Sequence, residues 1–195
     1  MIAWRGMTFA ERLATLDWSA LAASLSSRGF ARTPAVLDPA DCRALVKMYG
    51  DDARFRSRVD MARHRFGLGE YKYFADPIPD LVRQLREALF PPLAAIANQW
   101  MEALGTADRF PPTLSRFLER CAERGQSKPT PLLLRYEADG YNCLHQDIYG
   151  DVAFPLQVVA FLGTPGEDYT GGEFVLVEQR PRAQSAVEVV AGHQG

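Results

Sequence analysis

Cysteine is scarce in this chain: there are three in 195 residues, at positions 42, 121 and 143, with no close pair and an odd total. That count suggests neither a disulfide framework nor a cysteine-based zinc site, and it fits a reducing cytoplasm. Histidine is as rare, at three. Neither sign of charge dominates, because 22 Lys and Arg against 24 Asp and Glu leave a formal net charge of −2. A globally basic nucleic-acid coat is therefore excluded, though a local basic patch is not. No stretch approaches the ~18 apolar residues of a membrane helix, and Met1-Ile2-Ala3-Trp4-Arg5-Gly6 lacks the charged and then apolar order of a leader. The expectation is a soluble, cytoplasmic protein with no membrane contact and no obligate protein partner. Internal repeats and low-complexity tracts are also absent.

What the chain does have is apolar material, 47% of its residues, enough for one well-buried domain and short for two. We expect a single domain over residues 1–195, helical over about 1–125 and built of strands over about 126–195. Phe9, Leu13, Leu16, Leu21 and Leu25 recur at helical spacing and predict a first helix over about 8–27. Asp38-Pro39 is an N-cap followed by proline at the first helical position, and Gly50 is a stop, so a second helix spans about 39–49. Between Asp80 and Leu104 the helical period is interrupted by Pro91-Pro92, which predicts two helices meeting there. Leu114, Phe117, Leu118 and Cys121 predict one more, ending near Gly125.

Beyond Gln126-Ser127-Lys128-Pro129-Thr130-Pro131 the period becomes extended. Strands are expected at about 132–136, 141–147, 154–162 and 173–178. The 154–162 run is apolar on both faces and reads as a buried central strand. Helices first and strands afterwards argue for an α+β fold with helices buttressing one sheet of a jelly roll.

The most informative residues are His145 and Asp147. In an extended chain, alternate side chains share a face, so these two can grip one ion. A 2-His-1-carboxylate triad with open positions is the usual cradle of non-haem Fe(II) in oxygenases.

The run Arg135-Tyr136, the nine-residue step from Tyr136 to His145, and Leu144-His145-Gln146-Asp147 resemble the AlkB-type nucleic-acid demethylases, whereas Gly171-Gly172-Glu173 resembles the prolyl 4-hydroxylase branch. Both belong to the Fe(II)/2-oxoglutarate-dependent dioxygenase superfamily. The chain is also similar to a related prokaryotic oxygenase family described as acting oxidatively on damaged DNA. The resemblance covers about residues 125–179 and implies a double-stranded β-helix. It implies Fe(II) held by His145 and Asp147, with 2-oxoglutarate and O₂ as cosubstrates, and a 2-oxoglutarate carboxylate bound by the Tyr136 hydroxyl. Leu134 departs from the pattern, because AlkB-type enzymes carry an Asn there that also reaches the cosubstrate. Cys143 shares a face with His145 but is expected to pack as a small hydrophobe. Gln146 points the other way. Gly171 and Gly172 are expected to turn the chain into the next strand, and Glu173 to be solvated.

In the superfamily a distal His lies on a late strand, and an Arg or Lys further on pairs with the cosubstrate. Here the only His after Asp147 is His193, 48 residues on, with no Arg or Lys following. The expectation is a jelly roll cut short at its C-terminal end, its closing strands missing and its catalytic set incomplete.

The segment from Arg54 to Phe74 interleaves cations with aromatics. Arg63 and Arg65 for phosphates, with Tyr71 and Tyr73 for unstacked bases, are what a reader of alkylated or single-stranded nucleic acid would use; the same residues would also suit a solvated, lid-like loop. His64 reads as a core or surface histidine. Three functions follow as expectations. The first is oxidative demethylation of alkylated nucleic acid, the second hydroxylation of a peptide or small molecule, and the third a truncated, non-catalytic binding module.

Overall fold

The computed structural model describes residue 4 and residues 6–148, 150–179 and 184–195, so the leader-free reading of residues 1–6 lies largely outside the described residues. In chain order the elements are α1 (Phe9–Ala14), α2 (Trp18–Arg28), α3 (Pro39–Met48), β1 (Phe55–Asp60), α4 (Met61–His64), β2 (Gly67–Leu68) and β3 (Glu70–Phe74). Then come α5 (Asp80–Ala103), α6 (Leu114–Glu123), β4 (Leu132–Arg135), β5 (Tyr141–Asn142), β6 (Phe174–Glu178) and β7 (Ala186–Val190). Among the described residues the fold is mixed, with six α-helices and small antiparallel sheets, and the strands close no barrel.

Local capping explains most helix ends. Thr8 and Glu11 cap α1 reciprocally, and Asp38 and Asp41 do the same for α3, with Pro39 in its first turn. The single helix expected over 8–27 is instead two. Asp17 accepts a hydrogen bond from the Ala20 amide at 2.9 Å and so starts α2 afresh, a competing cap that the apolar spacing concealed. The break expected at Pro91-Pro92 does not occur, since both prolines lie inside the 24-residue α5. Their missing N–H groups cost helix stability, but Phe90 on one side and Ala94, Ile96 and Ala97 on the other are all buried. Tertiary packing of that continuous face outweighs the local defect.

The order of helices first and strands afterwards is also corrected. β1 and β3, from the segment expected as a lid-like loop, form with β4 a three-stranded antiparallel sheet in the order β1-β3-β4. Period-2 aromatic residues make that possible. The cation among them, Lys72, is only 5% exposed, yet its ammonium donates to the Tyr49 carbonyl at 2.9 Å and to Asp52 at 2.7 Å. A buried charge satisfied in this way is tolerated on an inner face.

The run 154–162 is not a ladder strand. Phe161 makes one isolated parallel bridge to Gln194, while Val158 and Val159 are 51% and 45% exposed. Apolar alternation selects a buried strand only where partner strands flank it, and no named strand of the described residues pairs with this segment. It is moored at its ends instead. Phe154 joins the cluster of Phe90 on α5, Phe117 on α6 and Phe110 from the segment between them, and Leu162 packs against the core of α1 and α3. Likewise 141–147 is laddered only over β5, which pairs with β2; β6 and β7 form a separate hairpin.

Candidate functional site

His145 and Asp147 lie just beyond β5, both partly exposed, with Nε2 of the ring 3.3 Å from Oδ1 of the carboxylate. Nδ1 of His145 is 2.7 Å from the Cys143 carbonyl. A carbonyl only accepts, so Nδ1 carries a proton, and Nε2 is the ring atom turned toward Asp147. The other carboxylate oxygen, Oδ2, accepts a hydrogen bond from Gln157 Nε2 at 3.0 Å. Nε2 and the carboxylate thus face each other, each held from behind, an arrangement that a proton on Nε2 or a metal ion between the two would stabilise. Adjacent ligands of an octahedral ion at ~2.1 Å stand about 3.0 Å apart, within a few tenths of an ångström of the 3.3 Å seen here. The pair therefore fits two neighbouring coordination positions of a metal ion. Among the described residues no group of three His, Cys, Asp or Glu side chains is gathered to hold an ion. His193 lies with Nδ1 3.3 Å from the Arg32 guanidinium, and His64 stacks on Phe66.

The chain leading to this pair is clamped against the cation and aromatic segment. The Cys143 amide donates to the Phe66 carbonyl at 2.7 Å, and β5 pairs with β2 at Gly67 and Leu68. Gly67 (φ 134°) lies so close that a Cβ there would sit 2.1 Å from the Tyr141 carbonyl oxygen; at Gly69 a Cβ would meet the Tyr136 ring at 2.8 Å. Only glycine permits that approach. The Tyr136 ring therefore lies over Gly69; burial pushes its phenol pKa up, against a hydrogen bond with Asn142 that lowers it. Leu134, where the AlkB-type pattern has Asn, is 46% exposed.

Arg63 is largely exposed and pairs with Asp60 at 3.3 Å. Arg65 ends α4 in the left-handed conformation, and its carbonyl faces the Cys143 thiol at 3.7 Å. With Arg58 and His64, Arg63 and Asp60 line an open cleft of about 280 Å³. Tyr71 and Tyr73 share a sheet face with their rings edge to face at 5.6 Å, and the Arg56 guanidinium lies 4.5 Å from the centre of the Tyr73 ring. Glu70 ties this sheet to α3. Burial raises its pKa, but hydrogen bonds from Tyr49 and Arg58 and the charges of Arg58 and Lys72 outweigh burial and leave it lowered. Burial and the Glu70 carboxylate push the Tyr49 phenol up.

The structure thus brings His145 to Asp147, the Arg65 backbone to Cys143, and Tyr136 to Gly69. Gln157 is the site residue that sequence reasoning missed. It is an exposed amide inside an otherwise apolar run, and no local spacing ties it to Asp147.

Two uncharacterized proteins of Mycobacterium tuberculosis, from strains CDC 1551 / Oshkosh and ATCC 25618 / H37Rv, are each 46% identical to this chain over 123 residues, covering 62% of it and 53% of the relative. The chain thus spans about half the length of the curated relatives it matches. No solved structure matches it. No helix among the described residues is long and apolar enough to cross a membrane. Residues 69–195, which contain β3, β4, β5 and the His145–Asp147 pair, match the family described as an oxygenase catalysing oxidative methylation of damaged DNA, and this chain belongs to that family.

Proposed function

We propose that the protein is an Fe(II)/2-oxoglutarate-dependent dioxygenase that removes alkyl groups oxidatively from nucleic acid. The observation that carries this reading is the His145–Asp147 pair, with Nε2 and Oδ1 3.3 Å apart and both side chains accessible. His145 and Asp147 would hold Fe(II), and the Tyr136 hydroxyl would orient 2-oxoglutarate. When bound, the iron and its cosubstrates supply the oxidation: 2-oxoglutarate becomes succinate and CO₂, and one atom of O₂ is inserted into a substrate C–H bond. On an N-methyl base the product is a hydroxymethyl group that leaves as formaldehyde, so oxidation removes the methyl.

The chain's own residues supply orientation. The Cys143 carbonyl fixes the His145 tautomer, and Gly67 and Gly69 bring the segment from Arg63 to Glu70 against the strand before His145. That contact supports a substrate mouth flanked by Arg63 and Arg65, with Tyr71 and Tyr73 on the adjoining sheet. The family's description as acting on damaged DNA supports nucleic acid as the substrate.

The test is succinate formation by the protein in the presence of Fe(II), 2-oxoglutarate and O₂. Methylated single-stranded DNA is expected to stimulate it and unmethylated DNA is not, and His145→Ala is expected to abolish it. Stimulation by a proline-containing peptide in place of DNA would instead select a peptide hydroxylase. No succinate with any substrate, together with no Fe(II) binding, would refute the dioxygenase reading.

A further inference from the structure

We infer that Gln157 is a positioning residue for Asp147, fixing which carboxylate oxygen faces His145; the inference rests on the reading of His145 and Asp147 as a metal pair. Asp147 is 40% exposed in its side chain, so its carboxylate would be free to rotate unless something held it. Gln157 does so. Its amide donates to Oδ2 at 3.0 Å, leaving Oδ1 turned toward Nε2 of His145 at 3.3 Å. The donor is a neutral amide, so it orients the carboxylate without offsetting the negative charge that would attract a cation. Outer-sphere partners of metal ligands act in this way.

Gln157 can serve as a fixed point only if its own backbone is fixed, and the fold provides for this without a sheet. Three residues before it, the Phe154 ring lies 5.2, 5.0 and 5.6 Å from the ring centres of Phe90, Phe110 and Phe117. The Val152 carbonyl and amide are both held by the Gln126 side chain, at 2.9 and 2.8 Å. Beyond it, the Phe161 carbonyl accepts from the Gly195 amide at 2.9 Å, and the Leu162 carbonyl from the Gln194 side chain at 2.8 Å. The segment is a tether moored at both ends to helical cores, with Gln157 near its middle. This accounts for a polar side chain in an otherwise apolar run. It also gives the tether a role: α1, α3, α5 and α6 reach the candidate site through it.

The experiment is a titration of the protein with Mn(II), followed by electron paramagnetic resonance of the free ion, and with Co(II), followed by its d–d absorption. Wild type, Asp147→Ala, Gln157→Leu and Gln157→Met are compared. Gln157 is exposed, so both of its substitutions are expected to leave the far-ultraviolet circular dichroism unchanged. Binding by wild type, its loss in Asp147→Ala and a 10–100-fold weakening in both Gln157 variants, with an altered Co(II) spectrum, is the expected result. Wild-type affinity and spectrum in the Gln157 variants, with binding still lost in Asp147→Ala, would overturn the role of Gln157 and leave the metal pair standing. No binding by wild type, or undiminished binding by Asp147→Ala, would overturn the metal pair and this inference with it.

Discussion

Replacing Gly67 by alanine tests whether the close contact between β2 and β5 is what holds the chain ahead of His145. The new Cβ would lie 2.1 Å from the Tyr141 carbonyl oxygen and 3.0 Å from the Asn142 Cα, where ordinary contact begins at 3.4 Å. Both obstacles are backbone, so the strands must part by about 1.3 Å, the difference between 3.4 and 2.1 Å. Two effects add. A φ of 134° is strained for any residue with a Cβ, at about 1–3 kcal/mol, and overpacking adds about 1–3 kcal/mol. The control is Gly29→Ala: its φ of 77° carries a similar backbone penalty, but nothing lies within 4 Å of the added carbon. Equilibrium urea unfolding, at a slope of ~2 kcal/mol per molar, should move the midpoint down by about 0.5–1.5 M more for Gly67→Ala than for Gly29→Ala. Mn(II) affinity should fall only in Gly67→Ala, because the parting strands carry Cys143, whose carbonyl holds the His145 ring. Equal midpoints for the two variants, or unchanged metal affinity in Gly67→Ala, would refute the argument.

Further outcomes are expected elsewhere. Asp52 is held below the usual carboxylate range by a hydrogen bond from Lys72 and by its charge, and Glu70 is also lowered despite burial. Their contribution to stability is present at neutral pH and is lost as pH falls from about 4 through their depressed folded-state values; a urea midpoint unchanged between pH 5 and pH 3 would contradict this. Phe154→Ala removes three aromatic contacts and should cost about 2–3 kcal/mol by urea unfolding, while loosening the tether enough to weaken Mn(II) binding. Phe154→Leu should do less of both. In a binding assay on single-stranded DNA, Arg63→Ala and Arg65→Ala should each weaken affinity about equally for all sequences and reduce the salt slope by about 1; an unchanged slope would remove these arginines from the interface.

Features set by neighbours within about four residues were legible in the chain alone. The Asp38 cap with Pro39, the amphipathic α6, the extended β4 and β6, and the His145-Gln146-Asp147 spacing all depend on local torsions, caps and side-chain period, which a linear reading captures. Membership of an oxygenase family was also legible, from the resemblance carried by about residues 125–179. Features chosen by distant partners were not. Pro91-Pro92 stay helical because Phe90, Ala94, Ile96 and Ala97 find a core. The Arg54–Phe74 segment becomes sheet because β4, some sixty residues later, pairs with β3. The 154–162 run resembles a buried strand but serves as a tether, since strand character needs flanking ladders that periodicity cannot supply. Above all, Gln157 meets Asp147 through anchors at Phe154 and Leu162 contributed by four helices. Hydrogen bonding between side chains ten residues apart on irregular backbone has no sequence period to announce it, so that contact was decided by the tertiary structure alone.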